Sequence, residues 1–351
     1  MQTRRLGRSG LRVSRLCLGT MMFADRTDEK EAREILAIAR GAGLNFVDTA
    51  DVYSQGASET MTGALIGKAR HDWVIATKVA NPIGNAPNDR GLSRHWILRA
   101  IDHSLTRLAI DHVDIYYLHK EDRGTPLAET VQAIGDLIRA GKIRYWGVSN
   151  YRAWRIAECV RLADALGVPR PVACQPYYNA LNRMPEVEVL PACREYGIGV
   201  ASYSPIARGV LSGKYLPGAV PPADTRAGRA DKRMMQTEWR TESLEIAQQI
   251  RARARTRGMS AVQFAINWVL ANPIVDSTIV GPRTAEQMRD YVGALEHGFD
   301  ADDEALVDSL VPAGHPSTPG YSDPAYPIEG RPIEGRRVDA APVDAAPVAT
   351  R

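Results

Sequence analysis

Four side chains in this sequence could together move a proton: Asp48, Tyr53, Lys78 and His119. Asp48 and Tyr53 lie in DTADVYSQGASE (48–59), Lys78 in WVIATKV (73–79), and His119 closes VDIYYLH (113–119). Taken singly, each has an ordinary reading. Asp48 caps a turn, Tyr53 packs in a loop, Lys78 extends to solvent and His119 is a hydrogen-bonded core imidazole. Taken together they point further. A free phenol has a pKa of about 10, too high for an efficient acid near neutrality. An ammonium beside it favours the phenolate and lowers that value. A carboxylate holds the ammonium charged and in place, and an imidazole donates to a carbonyl oxygen and orients it. The set suits reduction of an aldehyde or ketone. No side chain can supply the hydride, so a nicotinamide is implied.

The elements around these residues must bring them to one place. Apolar, β-branched stretches recur at SRLCLG (14–19), FVDT (46–49), WVIATKV (73–79), VDIYYLH (113–119), YWGVS (145–149), VACQ (172–175), GVASY (199–203) and STIV (277–280). Helical patterns follow nearly all of them. Asp28 and Glu31 have capping-box spacing ahead of Ala32, Ile35, Leu36 and Ala39, a one-sided apolar face. A second helix fits 58–68, and Ser93 caps a third with Ile97, Ala100, Ile101 and Leu105 inward. Thr125-Pro126 starts a fourth. Alternating strands and helices predict a parallel sheet. An open doubly wound sheet usually carries G-x-G-x-x-G after its first strand; here GTMMFA (19–24) stands there instead. Eight units favour a closed (β/α)8 TIM barrel. Its active site lies where strand C-termini meet the following loops. If Val74 and Ala76, and Val113, Ile115 and Tyr117, face the barrel interior, Lys78 and His119 project inward at its mouth.

Composition narrows the remaining classes. The chain has 351 residues, a formal charge of +3 and 24% charged residues, which gives no reason to expect nucleic acid or an acidic membrane as partner. Arg251, Arg253, Arg255 and Arg257 alternate around a helix and read as a solvated surface. The four cysteines, Cys17, Cys159, Cys174 and Cys193, lack CxxC spacing, which argues against structural zinc and a disulfide framework. The N-terminus lacks the apolar core of a signal peptide, and no run approaches the ~20 apolar residues of a membrane span. The expectation is a cytoplasmic protein with no metal, and one for which an oligomeric state stays open.

DTADVYSQGASE, IATKV, YYLH, GVSN (147–150), YSP (203–205) and GPRTAEQ (281–287) occur in one order from Gly19 to Gln287. Together they resemble the aldo-keto reductases, and the whole pattern is similar to the longer bacterial reductases of the potassium-channel β-subunit and aflatoxin-aldehyde-reductase branch. The resemblance implies a barrel enzyme of residues 1–312 with an N-terminal β-hairpin and a long loop after the seventh strand. It implies NADPH rather than NADH, and Asp48, Tyr53, Lys78 and His119 as catalytic residues with Tyr53 the acid. It further implies a cofactor site of Gly19, Thr20, Asp48, Ser149, Asn150, Gln175, Tyr203, Ser204, Pro205, Gly209, Leu211, Lys214, Gly281, Arg283, Gln287 and Tyr291. Ser149, Asn150 and Gln175 suit a carboxamide, Tyr203 offers a flat face to the nicotinamide ring, and SPIARGVLSGKY can wrap a pyrophosphate. Arg283, aided by a helix N-terminus, suits a 2′-phosphate. Tyr291 stands where the family pattern has asparagine, so adenine either stacks on it or the ring points away. Phe23, Val52, Tyr53, His119, Asn81, Pro82 and the region of Tyr321 are the expected substrate-side residues. The leading expectation is reversible NADPH-dependent carbonyl reduction. The alternatives are a redox-sensing regulatory subunit with slow turnover and a physiological alcohol or sugar dehydrogenase.

Two segments fall outside the repeating units. Between Tyr203 and Glu242 runs a Gly-, Pro- and Arg-rich stretch with Arg226, Arg229, Lys232 and Arg233, read as a partly mobile flap over the cofactor. Residues 313–336 read as an irregular segment at the barrel mouth or an interface. PIEGR, at 327–331 and 332–336, and VDAAP, at 338–342 and 343–347, are each repeated, so 337–351 reads as a disordered low-complexity tail.

Overall fold

The computed structural model describes residues 2–326. Two short strands, β1 (Thr3–Arg5) and β2 (Arg12–Ser14), form the N-terminal hairpin. Eight parallel strands then close a barrel in the order β10-β3-β4-β5-β6-β7-β8-β9. They are β3 (Leu16–Gly19), β4 (Phe46–Asp48), β5 (Val74–Val79), β6 (Val113–Leu118), β7 (Ile143–Ser149), β8 (Ala173–Gln175), β9 (Gly199–Tyr203) and β10 (Val275–Val280). The helices are α1 (Glu29–Gly41), α2 (Ala57–Ile66), α3 (Arg94–Leu108), α4 (Leu127–Arg139), α5 (Ala153–Ala165), α6 (Val189–Tyr196), α7 (Lys232–Thr237), α8 (Thr241–Thr256), α9 (Ala261–Ala271), α10 (Ala285–Gly293) and α11 (Ala301–Leu310). The fold is therefore the closed (β/α)8 barrel that eight strand–helix units imply.

Strand periodicity sorts the side chains into two cores. Cys17, Phe46, Val74, Ala76, Ile115, Tyr117, Ala173, Ala201 and Ile279 fill the barrel interior, and Leu6 and Val13 of the hairpin pack with them as a plug. The alternate strand positions, such as Leu18, Val47, Ile75, Tyr116 and Val148, pack outward against the helices. Ala76 and Ile115 are register partners, as are Lys78 and Tyr117. Lys78 therefore follows Val74 and Ala76 on the inward face, one layer above them.

Asp28 caps α1 by accepting from the Glu31 amide at 2.9 Å. The reciprocal half of the capping box does not form. The Glu31 carboxylate instead accepts from the Ala285 amide at the start of α10. Ser93 caps α3 through the Trp96 amide. The arginines of α8 are not simply solvated. Arg253 reaches Asp303 of α11 at 2.7 Å, Arg257 pairs with Asp300, and Arg251 donates to the Gly213 carbonyl at 3.1 Å. They tie α8 to the last helix and to the segment after β9.

The four cysteines are free and buried. Among the described residues no helix is long and apolar enough to cross a membrane, and no cluster of three or more metal-ligating side chains occurs. The repeated PIEGR and VDAAP motifs lie outside the described residues.

Candidate active site

Lys78 is the hub of the site. It is fully buried, and its ammonium has three protons to place. All three are placed: on Asp48 Oδ1, on the Thr49 carbonyl at 2.7 Å and on the Tyr53 hydroxyl at 3.1 Å. Asp48, 2% exposed, accepts in addition from Gln175 Nε2 across the barrel at 2.8 Å. Burial pushes the Asp48 carboxyl up, and Lys78 and Gln175 oppose that push. For Lys78, burial acts to lower the pKa, but Asp48 and Tyr53 outweigh it and hold the amine above its usual range. The pair is a charged one.

Backbone geometry brings Tyr53 to this hub. After β4 the chain keeps pairing along β5, with the Thr49 amide on the Ala76 carbonyl at 2.9 Å and the Asp51 amide on the Lys78 carbonyl at 3.3 Å. It then reverses through three left-handed residues, Ser54 (φ 47°), Gln55 (φ 53°) and Gly56 (φ 92°). Only glycine enters that region without strain, and a Cβ on Gly56 would lie 2.7 Å from Arg107 Cδ. Ser54 Oγ ties the turn to the Phe23 carbonyl at 3.0 Å. The rest of the motif braces it from behind. Ser58 donates to the Thr20 carbonyl at 2.7 Å, and buried Glu59 pairs with Arg107 at 2.7 Å and accepts from Thr77 Oγ1. Thr77 precedes Lys78, so α2 and α3 both bear on the strand that carries the lysine.

One expectation about Tyr53 is reversed. The ammonium lowers the phenol pKa, but burial raises it by more, and the Asp48 charge adds to burial. The net direction is upward from 10.0, so Tyr53 is held as a phenol. Because its oxygen accepts from Lys78, its own O–H is directed elsewhere.

His119 follows β6, fixed by its amide on the Val79 carbonyl at 2.8 Å and by Asn150 Nδ2 on its own carbonyl at 2.9 Å. Its ring stands edge-on to Tyr53, with centroids 6.0 Å apart at 80°. Burial, then Lys78 and Lys120, push the imidazole well below 6.5. It is neutral near pH 7.

The next strands add a polar layer. Ser149 Oγ donates to the Gln175 carbonyl at 2.8 Å and accepts from Asn150 Nδ2 at 3.1 Å. Asn150 Oδ1 accepts from the Tyr203 hydroxyl at 2.8 Å. Tyr203 packs on Tyr177 with ring centroids 5.6 Å apart. Asn150 (φ 59°), Ser204 (φ 62°), Ala207 (φ 48°) and Arg208 (φ 50°) are all left-handed without being glycine. Ala24, Ser54, Gln55, Ala80 and Ala230 are too, so nine of the ten such residues described lie in the segments that follow barrel strands. Strain of this kind persists where surrounding structure enforces it, commonly at functional sites.

These residues fit a nicotinamide dinucleotide. Gln175 commits its amide N–H to Asp48, which leaves its carbonyl oxygen as a carboxamide acceptor. Gly209 (φ 99°) leaves open the space in front of Lys214, whose Nζ would be 3.5 Å from a Cβ there. Pro205 is buried and Gly19 packs against Ile279. Thr20 Oγ1 is taken up by the Asp48 carbonyl and Ser58. Gly281 has open space beside it, and Arg283 keeps 39% of its side chain exposed while approaching Asp224 at 3.9 Å.

Several expected contacts lie elsewhere. Leu211 points into the core, with its amide on the Ile206 carbonyl. Gln287 accepts from the Arg283 amide, and Thr284 caps α10. With Glu31 also at that N-terminus, the Ala285 and Gln287 amides are already taken, and Arg283 is the positive group beside it, turned toward Asp224. Tyr291 is 4% exposed within the outer core, so of the two readings its ring points away from the surface. Phe23 is 1% exposed, so its ring supports the loop rather than lining an open pocket. Met22 is the residue of that loop that approaches the long segment, 3.8 Å from Arg226. Val52 and Asn81 are half-buried at the mouth. The Tyr321 ring lies 3.9 Å beneath the Arg240 guanidinium and faces α7 and α8, not the tetrad.

Two groups escaped the sequence reading. Asp51, fully buried, has no hydrogen-bond partner for either carboxyl oxygen among the described residues. Burial and the Glu59 charge push it well above the usual carboxylate range, against the pull of Arg107. Glu238, also fully buried, pairs with Arg208 and accepts from the Tyr177 hydroxyl at 2.7 Å. No local motif marks either one.

Residues 15–312 match the family model described as the Aldo/keto reductase family. The chain is 40% identical over 329 residues to the Uncharacterized oxidoreductase YrpG of Bacillus subtilis (strain 168), covering 90% of this chain and 97% of that one. It is 39% identical over 302 residues to a Probable voltage-gated potassium channel subunit beta of Oryza sativa subsp. japonica, covering 84% and 92%. A protein of the same description from Arabidopsis thaliana is 38% identical over 301 residues, covering 84% and 92%.

Proposed function

Because this chain belongs to the aldo/keto reductase family of oxidoreductases, we propose that it reduces aldehydes or ketones with NADPH, reversibly, with Tyr53 as the proton donor. The observation that carries the reading is the threefold commitment of the Lys78 ammonium to Asp48, Thr49 and Tyr53. It fixes the phenol oxygen as an acceptor and leaves its proton for a ligand.

Ser149, Asn150, Gln175 and Tyr203 would hold the nicotinamide end, with Ser204, Gly209 and Lys214 along the phosphates and Arg283 at the 2′-phosphate. When bound, the cofactor supplies the hydride. The chain's own work is binding, orientation and proton transfer. Neutral His119 donates a hydrogen bond to the substrate oxygen and holds it near Tyr53. Tyr53 gives its proton to that oxygen as negative charge develops there. Lys78 stabilises the phenolate left behind, and Asp48 keeps Lys78 charged without a proton moving between them. In the reverse direction Tyr53 takes the proton back.

The names of the rice and Arabidopsis relatives favour a second reading, a regulatory subunit that binds NADP(H) and turns over slowly. Steady-state NADPH consumption across sugars, pyridoxal, aromatic aldehydes and dicarbonyls, with the alcohols run in reverse, separates the two. Multiple turnovers with Tyr53-dependent rates support the enzyme. Tight NADPH binding with no substrate sustaining turnover would overturn it in favour of the regulatory role.

A further inference from the structure

We propose that Asn81 is a positioning residue that locks His119 in the tautomer protonated at Nε2, so that this N–H is the one offered to the substrate oxygen; this rests on the function proposed above. The amide Nδ2 of Asn81 lies 3.1 Å from His119 Nδ1. A neutral imidazole has one N–H and one acceptor nitrogen, and a carboxamide NH2 can only donate. Nδ1 is then the acceptor, and the proton sits on Nε2. No other side-chain hydrogen bond to the ring occurs among the described residues.

The backbone is bent to make this contact. β5 ends at Val79, and the next residue, Ala80, takes φ 144°, a value that L side chains rarely adopt. Ala80 is 1% exposed, and its carbonyl accepts from the Gly91 amide at 2.9 Å, which holds the bend. The strain turns Asn81 back over the mouth instead of letting the strand run on. The opposite face of the contact is equally fixed, because the His119 amide is bonded to the Val79 carbonyl and its carbonyl to Asn150. Donor and ring are thus both anchored.

The groups facing the imidazole agree with a neutral ring. Lys78 lies on β5 and Lys120 is the following residue. Tyr53, from the loop after β4, presents an uncharged phenol, and the Asp48 charge is taken up by Lys78. None of these would stabilise an imidazolium. A carboxylate at position 81 would, and it would also accept from Nδ1–H. Asn81→Asp, a change of one atom type, therefore inverts the contact.

The test uses the 15N-labelled full chain without cofactor, and long-range 15N–1H correlation spectra of its imidazoles. His119→Ala identifies the signal that disappears. In the wild type the His119 ring should be protonated at Nε2 only, at and above pH 7. In Asn81→Asp it should be protonated at Nδ1 at high pH and become doubly protonated as the pH falls. For carbonyl reduction, Asn81→Asp should lose kcat at pH 8.5, approaching the ~10²-fold expected for removing one oxyanion donor. It should regain activity towards pH 6, with KM for NADPH unchanged. An Nδ1–H tautomer in the wild type would overturn the proposal, and needs no variant to be seen. An unaltered tautomer in Asn81→Asp would overturn it as well. If the tautomers behave as described but no carbonyl compound sustains turnover, Asn81 has its positioning role and the carbonyl-reductase reading alone fails.

Discussion

The mouth of the barrel has two sides built on different principles. On the side formed by the loops after β3 to β6, each functional group is rooted on or beside a strand and held by neighbours on adjacent strands, with Gln175 reaching Asp48 from across the barrel. Lys78, Asp48, Tyr53 and His119 are held by strand register and by short turns. On the other side, the covering structure comes from two irregular segments, 204–240 and 313–326. These are fastened by arginines over long sequence separations: Arg208 to Glu238, Arg233 to Asp323, and Arg240 to Thr318 and Tyr321. The first side is made for chemistry that needs a fixed geometry. The second is held by pairs between segments far apart in the chain. Mutations should therefore divide, with rate effects on the first side and stability or access effects on the second.

The largest effect should come from the strand-rooted side. Tyr53→Phe keeps the ring and its packing but removes the acid. The expected loss is about 10²–10⁴ in kcat for carbonyl reduction, with NADPH affinity, read by fluorescence titration, nearly unchanged. A parallel loss of NADPH affinity would erase the distinction between the two sides.

Next comes the fastening nearest the tetrad. Glu238 is fully buried, Arg208 shares its carboxylate with the Tyr177 hydroxyl, and Tyr177 backs Tyr203. Removing one member of a buried pair strands the other charge, at a typical cost of ~3–5 kcal/mol. Arg208→Met should lower stability by that order in urea denaturation. The double variant Arg208→Met/Glu238→Gln should recover much of it, because no lone charge is left. Failure of the double variant to recover would assign Arg208 a role beyond pairing, such as holding the strained turn that contains it.

The same contrast explains what the sequence could convey. The strands, α1 and α3, and the inward alternation that ends at Lys78 and His119 were legible because they follow local periodicity and the fixed geometry of a parallel strand. Asp48, Lys78 and His119 were legible as polar residues at the C-terminal ends of three adjacent strands, with Tyr53 in the loop after the first. Asp51 was not, since a carboxylate three residues from Asp48 looks like another polar loop residue until burial is known. Nor was the destination of Glu31: capping-box spacing pointed to its own helix, whereas tertiary packing gave its carboxylate to α10. The direction of the Tyr53 shift also needed the fold. Sequence names the ammonium beside the phenol, but the burial that outweighs it is a property of the assembled site. The arginine fastenings join positions 30 to 90 residues apart, and nothing local selects one acid over another.

Asp51 sharpens the comparison in the opposite sense, as a buried carboxylate on this side with no side-chain hydrogen-bond partner among the described residues. Its folded pKa lies well above the unfolded value of about 3.9. Between those two values the unfolded chain has lost the proton that the folded chain retains, so ionisation favours unfolding and stability falls as pH rises through this window. Asp51→Asn cannot ionise. It should match the wild type in stability below pH 4 and exceed it increasingly above, levelling off once the folded carboxyl itself titrates. Thermal melts at pH 3.5, 5, 6.5 and 8 read this directly. A variant less stable at pH 8 than at pH 3.5, relative to wild type, would show that Asp51 is charged and paired in the folded state.

The smallest effect should come from the fastening furthest from the tetrad. Arg233 contacts Asp323 through two parallel hydrogen bonds of 3.0 and 2.7 Å, which joins α7 to the C-terminal segment. Both side chains are partly open to water, so the pair should contribute no more than ~1 kcal/mol to global stability. Its local consequence is larger than its global one. Beyond Asp323 the chain reaches Tyr326, a protonated phenol that lies near Tyr203 and near Glu121 on the opposite side of the mouth. Asp323→Arg should leave the melting temperature within a few degrees, yet speed proteolysis of the C-terminal segment and raise KM for bulky substrates more than for small ones. Arg233→Asp/Asp323→Arg restores the pair with its charges exchanged and should restore both readouts. If the single variant cleaves no faster than wild type, Arg240, with its stacking on Tyr321 and its bond to Thr318, is the fastening that holds the segment, and Arg240→Ala should then release it.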